Sequence, residues 1–197
     1  MVVTLLPVFV AAALIVAALT PVVRSAARRV PLARLGGAGI GVAWIAVLAA
    51  VYAAGPDALR LPLRQVPLPE IVAAGFVVFA LGVRDDLRAV SPARKILVQA
   101  LAATLVAGSG IRIDHVTVSG TTWTLGPLAI TATVLWIVAL TAAFNELDHL
   151  DALATWLAIA GGATCTAIVV VRGDTATAVM LAALVGALAG FLPYTRA

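Results

Sequence analysis

Apolar runs of bilayer length follow one another along almost the whole chain. A helix that crosses a membrane needs about 20 mostly apolar residues, and seven stretches approach that length: 2–19, 36–54, 68–83, 94–109, 125–144, 152–171 and 175–194. Of the 197 residues, 63% are hydrophobic and 11% charged, with a mean hydropathy of +1.13, far from the averages of soluble domains. The pattern predicts an all-α fold, a polytopic transmembrane helix bundle of about seven spans. It predicts one integral membrane domain over residues 1–197, with the third and fourth spans the shortest.

A net charge of +4 and a pI near 10.2 would suggest a nucleic-acid partner in a soluble protein. Here the basic residues lie between the apolar runs, so no nucleic acid is implied and the charges serve orientation. With seven spans, Arg24, Arg28, Arg29, Arg34, Arg84, Arg88, Arg94, Lys95 and Arg196 share one side, against Arg60, Arg64, Arg112 and Arg172 on the other. Basic residues collect on the cytoplasmic face, which places the N-terminus outside and the C-terminus inside a multi-pass protein of the inner (plasma) membrane. Asp85, Asp86, Glu146, Asp148 and Asp151 then face the cytoplasm, while Asp57, Glu70, Asp114 and Asp174 lie outside as solvated loop surface. The first span lacks a basic leader and reads as an uncleaved signal-anchor helix. Cys165 is the one cysteine, so no internal disulfide is expected.

The cytoplasmic segments carry the chemistry. In the first, Thr20 to Gly37, Pro21, Pro31 and the Gly36-Gly37 pair predict that one helix ends and another restarts around an arginine-rich turn. In the second, the adjacent carboxylates of Asp85 and Asp86 close an apolar helix. They repel each other and lose hydration near the bilayer, so a divalent cation, a shared proton or the flanking Arg84 and Arg88 must offset that cost. Lys95 and Gln99 lie one turn apart on one face of the next helix. Lys95 reads either as a snorkelling anchor or as a phosphate ligand aimed at the acids.

In the third segment Asn145, Asp148 and Asp151 recur every three residues and form a polar stripe on a helix, with His149 pointing elsewhere. Oxygen-bearing side chains on such a stripe, beside Asp85 and Asp86, suit Mg²⁺ or Mn²⁺, which take hard oxygen ligands and share them with phosphates. Between the fourth and fifth spans, residues 111–124 alternate apolar and polar side chains around Gly120. This predicts a small external β-hairpin carrying His115.

On these residues the chain resembles the polyprenyl-phosphate N-acetylhexosamine-1-phosphate transferases, the membrane family that includes the enzymes acting on undecaprenyl phosphate. Pro31 to Gly37 is similar to the family's P-x-x-R-x-G-G segment, Gly82 to Leu87 to its D-D motif, and Lys95 to Gln99 to the lysine and glutamine that follow. Ala143-Phe144-Asn145 with Asp148, Leu150, Asp151, Leu153 and Ala154 follows N-A-F-N-L-I-D-G-L-D-G-L-A. Gly190 to Tyr194 resembles the next segment. The resemblance implies transfer of a sugar 1-phosphate from a UDP-sugar to polyprenyl phosphate at the cytoplasmic face, with Mg²⁺ and release of UMP, in cell-envelope polysaccharide or peptidoglycan synthesis. By similarity Asp85, Asp86 and Asp148 are the catalytic and metal-site carboxylates, and Lys95, Asn145 and Asp151 bind substrate. Membrane lipid is a further partner, and a homodimer is an assembly left open.

Departures from the family pattern keep other readings in view. Ala142 stands where the family has its first asparagine, Glu146 where it has leucine, and His149 and Ala152 where it has glycines, so added side chains crowd an approaching nucleotide. The chain stops before the family's glycine-aspartate motif and histidine-rich loop, so a C-terminally shortened member is expected. The alternatives are a noncatalytic homologue that binds polyprenyl phosphate or a partner enzyme, and an ion or proton transporter using acids at membrane ends.

Overall fold

The computed structural model describes residues 2–27, 36–147 and 153–194. Each of the seven apolar stretches is helical within these residues: α1 (Val2–Ala27), α2 (Gly36–Ala54), α4 (Leu68–Leu87), α5 (Pro92–Gly108), α6 (Ala129–Leu147), α7 (Leu153–Val171) and α8 (Thr175–Phe191). A short helix, α3 (Asp57–Leu63), follows α2 across a bend of 110°. By length and composition α1, α6, α7 and α8 each suffice to cross a membrane among the described residues, and α2 with α3 qualifies as a bent pair. Helix α5 has 17 residues, and α4 carries Glu70, Arg84, Asp85 and Asp86. The protein is a membrane protein, all-α but for one small hairpin.

The chain forms two compact units, one of residues up to Val66 with those from Leu147 onward, the other Pro67–Glu146. In the first, α8 touches α1, α2, α3 and α7. Its buried residues are nearly all small: Ala176, Ala178, Val179, Ala182, Ala183, Val185, Gly186 and Ala187. Lipid gives helices no hydrophobic reason to associate, so close backbone approach through small residues supplies the attraction. Gly186 and Gly190, one turn apart, are the closest points: a β-carbon would strike the Phe9 carbonyl at the first and the Ala13 carbonyl at the second. On the α7 side, a β-carbon at Gly162 would lie 2.6 Å from Val185 Cγ2.

Helix α1 runs on through Pro21 to Ala27, where the sequence predicted an end at Thr20. A proline at position i removes the amide that would bond the carbonyl at i−4, which here is Ala17. The Tyr194 hydroxyl donates to that same Ala17 oxygen at 3.0 Å. One residue earlier, buried Thr20 donates its hydroxyl to the Val16 carbonyl at 2.8 Å. The carbonyl freed by Pro21 thus gains a partner from the far end of the chain, and the helix persists. A comparable clip joins α2 to α8, where the Trp44 indole donates to the Met180 carbonyl at 3.0 Å.

The α7–α8 corner is built by three residues. Gly173 takes a positive φ of 77°, and the amides of Gly173 and Asp174 donate back to Val170 and Val169, a Schellman ending that satisfies the last carbonyls of α7. Asp174 then caps α8 by accepting from the Thr177 amide at 3.0 Å. An acid read from sequence as loop surface is therefore a helix cap. At the other bend, α3 buries Leu59 and Leu63, pairs Arg60 with Asp57, and stacks Arg64 over the Tyr52 ring at 5.1 Å.

In the second unit α4 packs on α5. The expected hairpin is present as β1 (His115–Val118) and β2 (Thr121–Thr124), antiparallel, with His115 opposite Thr124 and Val118 opposite Thr121. Ser119 and Gly120 both have positive φ, 50° and 81°, as a two-residue type I′ turn requires. Thr117 and Thr122 share a hydroxyl hydrogen bond across the strands. Below them the Ile113 amide donates to Thr133 Oγ1 at 2.9 Å, tying the hairpin base to α6.

Two substitutions test this packing. Gly186→Val forces α1 and α8 apart and is expected to cost about 1–3 kcal/mol, seen as a lower unfolding temperature in detergent, whereas Gly75→Ala, which meets open space, leaves that temperature unchanged or higher. Tyr194→Phe removes a donor to Ala17 and is expected to cost about 1 kcal/mol, with faster amide exchange around Pro21.

Candidate functional site

The candidate site is built where α4 ends and α5 begins. Helix α4 stops at Arg88, whose backbone is extended (φ −148°, ψ 118°). Ser91 and Pro92 then start α5, proline standing where a helix has no use for its amide. The four intervening residues double the chain back, so the last turn of α4 and the first turn of α5 become neighbours. Asp85 and Lys95, ten residues apart in sequence, meet there.

Lys95 Nζ lies 2.6 Å from Asp85 Oδ2. The other carboxylate oxygen, Oδ1, accepts from the Val90 amide at 2.8 Å. Both side chains are about one quarter exposed, 28% for Lys95 and 27% for Asp85, so the pair is partly shielded yet open to solvent. Sequence alone offered Arg84 and Arg88 as compensating charges; both are exposed, and the cation on Asp85 is Lys95. The Lys95 ammonium bond, then the Val90 amide, hold the Asp85 carboxyl below its ordinary value, partly opposed by burial and aided by the attraction of the lysine charge. Asp85 lies beyond the apolar stretch 68–83 and is ionised at neutral pH.

The remaining predicted residues are placed as follows. Asp86 follows Asp85 in the last turn of α4. Gln99 is buried one turn beyond Lys95 on α5. Asn145 is exposed near the end of α6, beside exposed Glu146. Asp148, His149 and Asp151 lie outside the described residues. The structure brings Asp85 and Lys95 together, and it adds a partner that motif spacing did not supply, the Val90 backbone. The signal for it was the shortness of the connector before Ser91-Pro92.

Among the described residues no three His, Cys, Asp or Glu side chains gather as a metal cluster. The donor chemistry of Asp85 nonetheless suits a hard cation. An ionised carboxylate has about four acceptor positions, and Lys95 and Val90 occupy one on each oxygen. Cation and anion side by side can receive a phosphate at the lysine and a divalent ion at the carboxylate.

Comparison with known proteins adds to this geometry. The family model described as glycosyl transferase family 4 matches residues 68–197, the stretch that holds α4, α5 and the Asn145 segment. A Bacillus subtilis protein provisionally named undecaprenyl-phosphate N-acetylglucosaminyl 1-phosphate transferase is 31% identical over 163 residues, covering 82% of this chain and 43% of the relative. A Streptomyces coelicolor protein provisionally named a glycosyltransferase is 33% identical over 173 residues, covering 84% of this chain and 36% of its own. The chain thus spans less than half the length of the curated relatives it matches. No solved structure matches it.

The lowered pKa of Asp85 sets a pH window. Its ion pair contributes fully above the ordinary aspartate value of 3.8 and is lost as pH falls through the lower folded value. Infrared titration of the carboxyl band is expected to show Asp85 protonating below pH 3.8, with Asp85→Asn abolishing that component.

Proposed function

Because the chain belongs to glycosyl transferase family 4, we propose that it transfers an N-acetylhexosamine 1-phosphate from a UDP-sugar to polyprenyl phosphate, releasing UMP. The observation that carries this reading is the Asp85–Lys95 pair, 2.6 Å apart on the two helix ends that bear the D-D and lysine motifs. The Bacillus relative's name supplies the acceptor and the transferred group. The excess of basic residues in the loops next to this site favours the cytoplasmic face, with the N-terminus outside. The setting proposed is cell-envelope polysaccharide or peptidoglycan synthesis at the inner membrane.

In the reaction an oxygen of the lipid phosphate forms a bond to the β-phosphorus of the donor, and the bond from that phosphorus to the oxygen of UMP breaks. Two anionic partners must be brought together, so positioning and charge neutralisation dominate the barrier. Lys95 supplies fixed positive charge to a phosphate. Asp86 accepts any proton the lipid phosphate carries, Asp85 stays ionised beside Lys95, and Asn145 and Asp151 order the nucleotide. A Mg²⁺ or Mn²⁺ held by Asp85, Asp86 and Asp148 would neutralise charge that grows on the phosphate oxygens.

A second reading, a noncatalytic homologue that binds polyprenyl phosphate, draws on His149 and Ala152 at the family's glycine positions. Turnover separates the two. Full chain in lipid nanodiscs, given UDP-N-acetylglucosamine, undecaprenyl phosphate and Mg²⁺, is expected to release UMP and to stop when EDTA is added. Asp86→Asn and Asp148→Asn are each expected to lower the rate at least about a hundredfold while membrane insertion is retained. Full activity in both variants overturns the assigned site; lipid-phosphate binding without UMP release supports the second reading.

A further inference from the structure

The Asp85 carboxylate is engaged at both oxygens, and the two bonds run to different parts of the chain. Oδ2 holds the Lys95 ammonium at the first turn of α5. Oδ1 holds the Val90 amide in the connector. Val90 lies between Arg88, where α4 has ended, and Ser91, where α5 has not yet begun, so its amide has no place in either helix ladder. An unpaired, part-buried amide is costly, and Asp85 satisfies it. From this double engagement we propose that Asp85 is a positioning residue that presets Lys95 for phosphate, so that phosphate capture by Lys95 depends on Asp85. The proposal rests on the functional reading above, in which Lys95 binds a substrate phosphate.

A lysine side chain is a flexible four-carbon stem with a compact charge at its tip. Left to itself, it loses its rotamer freedom only when it binds, and affinity falls accordingly; a lysine already held has less freedom to lose. The ammonium has three donors. Asp85 takes one, leaving two for phosphate oxygens without release of the ion pair. An isolated, solvent-exposed ion pair contributes little. Here the carboxylate is fixed a second time, by backbone, so the position of Lys95 is referred to the α4–α5 corner as a whole.

The sign of one measurement separates this role from that of a bystander. In EDTA, where a cation cannot contribute, binding of a short-chain polyprenyl phosphate to the full chain in nanodiscs is measured for the unaltered protein, Asp85→Asn, Lys95→Gln and the double variant. Removing a negative charge near an anionic ligand should by itself leave binding unchanged or tighter. If Asp85 presets Lys95, Asp85→Asn instead weakens binding about tenfold, as loss of a charge-assisted hydrogen bond would. The double variant is then no weaker than Lys95→Gln alone, and Lys95→Arg, which keeps a charge that can pair with Asp85, retains most of the affinity. Unchanged or tighter binding in Asp85→Asn overturns the proposal, as does a double variant in which the two losses multiply.

Should Asp85→Asn fail to fold, amide exchange at Val90 decides. Slow exchange that quickens in Lys95→Gln supports the shared anchorage; exchange as fast as an open turn in the unaltered chain overturns it. Absence of polyprenyl phosphate binding in the unaltered chain strikes the functional reading, whereas binding that is indifferent to Asp85 strikes only this inference.

Discussion

Two glycines one turn apart on α8 allow its backbone to rest directly on that of α1, and the first unit is organised by that contact. In hydrocarbon the gain from burying apolar side chains against one another is small, because lipid tails are equally apolar. What distinguishes one helix pairing from another is how many atoms can touch, and that is greatest where β-carbons are missing. Gly186 and Gly190 face the carbonyls of Phe9 and Ala13, so the match is backbone to backbone over a full turn. With α1 seated, Tyr194 reaches the carbonyl that Pro21 leaves open. The hydroxyl bond and the glycine contact reinforce each other, since the first has the right length only if the second is made.

The second unit carries its specificity in polar form. A carboxylate, an ammonium and a connector amide meet at the α4–α5 corner, each with a partner and none fully withdrawn from water. Such a corner combines two properties that pull apart. Its charges are exposed enough to meet an anionic substrate and a hard cation, yet the two bonds at Asp85 hold them in one geometry. The membrane-crossing helices supply anchorage, and the short connector supplies precision, because four residues between two helix ends leave little freedom in how the ends face each other.

Much of this was legible in the chain. Apolar runs became helices because a membrane leaves the backbone few other ways to satisfy itself. Alternation around Gly120 became a hairpin because a two-residue turn with positive φ at both positions favours such residues. The acids and Lys95 were marked by their motifs, and of the two readings of Lys95, membrane anchor or phosphate ligand, the second aimed it at the acids. Three features were not legible. Where α1 continues past Pro21, the freed Ala17 carbonyl is met by a tyrosine 177 residues from it, and pattern within a window cannot report such a partner. Asp174 looked like loop surface because a cap and a solvated acid share the same residue type; only the turn made by Gly173 distinguishes them. Val90 was missed because its contribution is an amide, which every residue but proline possesses.

The separation of partners along the chain also differs between the two units, with a consequence for assembly. Asp85 and Lys95 are ten residues apart, so their corner can close as soon as α5 has emerged from the ribosome. Helix α1 is made before α8, and its glycine-matched strip finds that partner only after the intervening helices have been inserted. During that interval the carbonyl of Ala17 and the surface around Phe9 and Ala13 stand open to lipid or to any small-residue helix nearby. Contacts between distant parts of a chain form late, and α1 therefore lacks α8 while the intervening helices are inserted, the stage at which a wrong pairing in the bilayer has its best chance.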